Sequence, residues 1–139
     1  MQHQICRAIT AASAVVFLAC GDDAFTPSVM DVAGSYSPTT FTTTTGGSTT
    51  DQLAAGASLA LSLAENGTTT GRLFVPHGAE GGGDLDADMA GTWTLTGRIV
   101  NVDQTADTFV RDMPFTVESN RLRGEATFSG TTIRVTLGK

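Results

Sequence analysis

The feature that most restricts this chain is a two-residue alternation of apolar and polar side chains, in short runs split by glycine-containing turns. Between Ala57 and Glu65, Leu59, Leu61 and Leu63 alternate with Ser58, Ala60 and Ser62; from Thr68 to Pro76, Leu73 and Val75 share one side. A period of two puts neighbouring side chains on opposite faces, so each run is a strand with one buried face. Asn66-Gly67 joins the two runs, and both residues tolerate the positive φ of a tight hairpin turn. Near the C-terminus Leu122, Ala126 and Phe128 alternate with Arg121, Arg123, Glu125 and Thr127. Beyond Ser129-Gly130, Ile133, Val135 and Leu137 alternate with Thr132, Arg134 and Thr136, giving a second hairpin.

Four further runs bring the expected strands to eight. They are Val32 to Thr44, Thr92 to Thr96 around Trp93 and Leu95, Arg98 to Asp103, and Thr108 to Glu118 with Phe109, Met113, Phe115 and Val117. In the first, Pro38 shifts the parity between Tyr36 and Phe41, which predicts a bulge or an edge. Threonine, at 23 residues, reinforces the strand reading, because β-branched side chains suit a pleated surface. Two connections exceed what a hairpin needs: Gly46 to Gly56, with room for one turn of helix at Asp51 to Gly56, and the glycine- and acid-rich Pro76 to Gly91. Asp31 to Ser37 and Asp88 to Thr94 are alike, read here as two strand entries sharing one turn chemistry rather than as a duplication. The chain is therefore expected to be all-β, an antiparallel up-and-down meander of about eight strands. A closed or nearly closed barrel removes the exposed edges such strands would present, and a flat sandwich is the competing arrangement.

Met1 to Cys20 has the parts of a secretory signal: a short start carrying Arg7, an apolar run from Ala8 to Ala19, and small residues before a cut. The run is too short to cross a bilayer as a helix. Its end, Phe17-Leu18-Ala19-Cys20, resembles the lipobox of bacterial lipoproteins, with Phe17 where that family has an aliphatic residue. The competing reading is an ordinary signal cut elsewhere, leaving Cys20 a free thiol. The resemblance implies a signal peptide over residues 1–19, lipidation of Cys20, a lipidated tether over 20–30 and a domain over 31–139. Gly21 follows the cysteine where an inner-membrane retention signal has Asp, so the resemblance implies export to the cell envelope, at the outer membrane if the cell has two. Cys6 belongs to the removed part, so the mature chain has no disulfide and its core must hold it together.

Gly34-Ser35-Tyr36 resembles the Gly-x-Trp entry motif of the small lipocalin-like domains of bacterial lipoproteins, with Tyr in place of Trp; Gly91-Thr92-Trp93 carries the motif mid-chain. The resemblance implies a β-barrel that binds a small apolar ligand. The interior is expected to be lined by Tyr36, Trp93, Phe115 and Arg111, since binding sites combine apolar walls with a few fixed polar groups. Arg111 shares parity with Phe109, Met113 and Phe115, so a regular strand points its guanidinium inward, toward a ligand carboxylate. The structural alternative, preferred here because buried charges are usually paired within the protein, is that Asp112 or Pro114 breaks the register, or that Arg111 reaches the barrel mouth. The competing function is a structural or protein-interaction lipoprotein with a filled barrel.

Other chemistries find little in the sequence. His77 is the one histidine outside the signal, no Gly-x-Ser-x-Gly elbow occurs, and no phosphate-cradling glycine loop is present, so no enzyme activity or cofactor is expected. Asp84, Asp86 and Asp88 alternate beside three glycines, but Met89 and Leu95 stand where a calcium loop of the EF-hand type needs Gly and Glu; the expected reading is a solvated loop without metal. Net charge is −6 and the sole lysine is Lys139, which excludes a phosphate-tracking surface for nucleic acid.

Overall fold

The computed structural model describes residues 25–139, so the expected signal peptide and the lipidation at Cys20 lie outside the described residues. The elements in chain order are α1 (Val29–Val32), β1 (Gly34–Thr45), β2 (Ser48–Asp51), β3 (Ser58–Leu63), β4 (Thr68–Val75), β5 (Leu85–Asp88), β6 (Gly91–Thr96), β7 (Ile99–Gln104), α2 (Phe109–Asp112), β8 (Phe115–Glu118), β9 (Arg121–Phe128) and β10 (Thr131–Gly138). β1 and β3 through β10, with β5 set aside, pair with their neighbours in sequence order, and β10 pairs back onto β1. The result is a closed antiparallel barrel of eight strands, and the sandwich is excluded. Closure leaves each of the eight with a partner on both sides.

The two strands outside this ring extend it. β2 pairs the C-terminal end of β1, beyond the stretch paired to β3, and β5 pairs the C-terminal half of β4, beyond the stretch paired to β6. Both lie in segments expected to be loops. Gly46 and Gly47, at φ +56° and +82°, make the tight turn that folds β2 back on β1. At Asp51 to Gly56 the chain makes turns in which the Asp51 carboxylate accepts from the backbone N–H groups of Leu53 and Ala54. The bulge expected at Pro38 is present: the β1–β10 register steps between Pro38 and Thr40, so that Tyr36 and Phe41 both face the core despite their opposite parity.

One expected strand is shorter than its pattern. Of Thr108 to Glu118, residues 109–112 wind into α2, and only Phe115–Glu118 joins the sheet. Pro114 has no N–H to give to a ladder and disfavours a helical conformation at Met113, so it separates the two. Helical spacing puts Val110 and Met113 inward, both buried, and turns Arg111 out.

The barrel has two ends. At the near end lie the entering chain, α1, the β3–β4, β6–β7 and β8–β9 turns, and Lys139. A capping box holds α1: the Ser28 N–H donates to Asp31 Oδ2 at 2.8 Å and the Asp31 N–H to Ser28 Oγ at 3.3 Å. α1 begins within the segment expected as tether, and its Val32 is wholly buried. The far end, or mouth, is formed by the β1–β2 turn, the 76–84 loop, α2 and the β9–β10 turn, with Val110 and Met113 as its stopper.

Candidate functional site: the packed interior and the mouth cleft

Tyr36, Trp93 and Phe115 meet in one apolar core, on β1, β6 and β8. Each is packed as a structural side chain. The Tyr36 hydroxyl donates to the backbone carbonyl of Val32, joining β1 to α1, and the Trp93 Nε1–H donates to the carbonyl of Ala64 at 2.8 Å. Burial pushes the Tyr36 phenol up to about 12, since the ionised form has lost its water. Phe115 lies across from Gly124 in the β8–β9 register, and a Cβ on that glycine would come within 2.8 Å of the Phe115 ring and 2.9 Å of Met113 Sδ. The ring fills the place a side chain would occupy.

Three buried polar residues escaped the sequence reading. Between β5 and β6 the chain leaves the ladder at Met89-Ala90, and the Met89 carbonyl accepts instead from Thr69 Oγ1 at 2.6 Å and Gln104 Nε2 at 3.3 Å. Thr108 Oγ1 donates to Gln104 Oε1 at 3.4 Å, continuing the chain. Threonines are common here and Gln104 ends a run of alternating residues, so no sequence signal marks them. Among the described residues, no buried side-chain nitrogen or oxygen lacks a partner. The interior therefore presents no polar group waiting for a ligand.

Arg111 is the correction. It stands on α2 outside the core, where Nη2 donates to Asp107 Oδ1 at 2.6 Å and Nε to Asp112 Oδ1 at 2.9 Å. The hydrogen bond from Arg111 holds the Asp112 carboxyl below its usual range. The partner this cation requires comes from its own helix and the residue leading into it, as the structural alternative expects.

The acidic 84–88 stretch is likewise dispersed. Arg72 donates to both oxygens of Asp86, Asp84 accepts from the His77 N–H at 3.0 Å, and Asp88 accepts from the Ala90 N–H at 2.8 Å. Among the described residues, no three potential metal-ligating side chains converge.

What the structure does open is the mouth. A cleft of about 220 Å³ lies among Phe41, Gln52, Val75, His77, Phe109 and Ile133. It adjoins a shallower one of about 430 Å³ that shares Gly78, Leu85, Phe109 and Ile133 and adds Phe128, with Glu80, Asp107 and Asp112 on the rim. Phe41 and Phe109 stack at a tilt, ring centroids 5.3 Å apart, so the floor is aromatic. Leu85, Phe109, Phe128 and Ile133 are partly buried apolar residues packed on the core. The sequence showed Phe109, Phe128 and Ile133 only as members of alternating runs and placed Leu85 in a loop; which strand ends meet at the mouth depends on the closed ring.

No protein family model, curated protein or solved structure matches this chain.

Proposed function

We propose that the chain is a membrane-anchored envelope lipoprotein whose packed barrel is a scaffold, and that a small apolar ligand binds at the mouth. The observation that carries the binding reading is the cluster of half-buried apolar side chains, Leu85, Phe109, Phe128 and Ile133, around an aromatic floor. Such a concave apolar lining with few polar groups is what small-molecule sites share. Carboxylates on the rim, with Arg111 already engaged by two of them, favour a neutral or cationic ligand over a fatty acid. The anchor reading is supported by the lipobox-like Leu18-Ala19-Cys20.

Titration of the protein with a neutral and a cationic apolar dye tests the site. Saturable binding, weakened by Phe109→Ala in a variant that keeps its melting temperature within a few degrees, supports it. The filled interior favours a second reading, a structural or protein-interaction lipoprotein. Absence of saturable binding to either dye promotes that reading over the first.

A further inference from the structure

Every large apolar side chain that stands exposed among the described residues lies at the near end: Phe25, Val29 and Met30 on the entering chain and α1, and Ile99 at the start of β7. Met30 is 73% exposed. The same end carries Arg98 and Arg121 at two neighbouring turns. Arg72, Arg111 and Arg134 are each held by carboxylates, whereas Arg98 and Arg121, like Arg123 further along β9, form no ion pair among the described residues. Between them lies a cleft of about 480 Å³ lined by Phe25, Arg98, Glu118, Ser119, Asn120 and Arg121, with the Arg98 guanidinium 5.8 Å from the centre of the Phe25 ring.

Charge divides along the barrel axis. Among the described residues the acids of the near end are Asp31, whose charge the hydrogen bonds from Ser28 stabilise, Glu65, and Glu118 in the cleft wall, against Arg98, Arg121 and Lys139. At the mouth Asp51, Glu80, Asp84, Asp107 and Asp112 are all exposed, against Arg111. The near end is close to charge balance while the mouth carries an excess of acids, so a negatively charged plane would repel the mouth more strongly than the near end, whose two cleft arginines remain open to phosphate. The described chain also enters at the near end, with Phe25 five residues after Cys20. Five residues reach at most about 17 Å.

We propose that the near end is a membrane-docking face. Phe25, Val29 and Met30 enter the interface of an anionic bilayer, and Arg98 and Arg121 bind lipid headgroup phosphates in the cleft between them. Guanidinium groups suit phosphate because they donate two parallel hydrogen bonds, and exposed aliphatic and aromatic side chains bring apolar area to the interface. The proposal deepens the lipoprotein reading and takes from it the bilayer as partner; the mouth then faces away from the membrane.

Amide hydrogen exchange of the full chain on phosphatidylcholine vesicles, with and without phosphatidylglycerol, tests this. Slowed exchange at residues 25–33, 97–99 and 118–121 on the anionic vesicles, with the 77–84 loop unchanged, is the expected result. Each of Arg98→Gln and Arg121→Gln should reduce that protection about fivefold, the effect of one cation near an anionic leaflet. Both are exposed, Arg98 in the β6–β7 turn and Arg121 at the first position of β9, and an unchanged melting temperature shows that the variants fold. Met30→Ser should reduce it on both vesicle types. Equal protection at both ends, or none at the near end, overturns the docking face. The mass of the Cys20 peptide from the same samples separates the two readings: acylated Cys20 with an unprotected near end removes the face and keeps the anchor. Unmodified Cys20 with salt-sensitive near-end protection removes the anchor and keeps the face.

Discussion

Tyr36 shows how a residue that resembles part of a binding site can be structural. Its hydroxyl is already spent on the Val32 carbonyl, and the phenol is 4% exposed. The proton is retained in the folded barrel to about pH 12, against an ordinary value of 10.0. The unfolded chain therefore loses this proton first as pH rises, and stability falls between those two values by up to about 1.4 kcal/mol per pH unit. Below pH 10 this contribution is complete. Tyr36→Phe should flatten that part of the curve, read as a smaller drop in melting temperature between pH 9 and pH 11 than the parent shows. It should also lose about 1 kcal/mol at neutral pH with the hydrogen bond. Thr69→Val probes the other buried polar site. It removes one of two donors to the Met89 carbonyl, and a loss of about 1–3 kcal/mol in denaturant unfolding is expected.

At the scale of elements, alternation is reliable where it is supported by a turn. On β3, Leu61 is buried while Ser62 faces out and shares a hydrogen bond with Ser35 across the β1–β3 pair, Oγ to Oγ at 3.0 Å. Leu61→Ala should cost about 2–5 kcal/mol, and Ser62→Ala under about 1 kcal/mol. Equal losses in thermal unfolding would contradict the assigned faces. Both hairpins with Asn-Gly or Ser-Gly turns were legible, because local chemistry and periodicity agree there. α2 was not. Phe109, Met113, Phe115 and Val117 have the parity of one long strand, yet Val110 and Met113 also fit helical spacing, and only Asp112 and Pro114 hinted at a break. The place of Arg111 among the interior ligand-binding residues rested on the unbroken strand, while the preferred structural reading holds: on α2 it is a surface cation between two aspartates. Arg111→Ala should therefore change stability by no more than about 1 kcal/mol. A loss of several kcal/mol on unfolding would restore a buried role.

For the whole molecule, the eight ring strands and their order were legible because edge removal leaves few alternatives for so many short strands. The mouth was not, since Phe41, Leu85, Phe109 and Ile133 are distant in sequence and meet only through closure. If Cys20 bears the anchor, Cys20→Ser should shift the protein from the membrane to the soluble fraction, read by fractionation. Closure has a further consequence, for timing. The first strand and the last are partners: Ser37 aligns with Gly138 and Thr45 with Thr131. Contacts so distant in sequence carry a large loop-closure entropy and slow folding. A chain emerging N-terminus first, from a ribosome or through a membrane, can form its internal hairpins early but cannot complete the ring until β10 is free. Until then β1 has no β10 to meet it, and the chain remains threadable; the same arrangement that seals the barrel keeps it from sealing too soon.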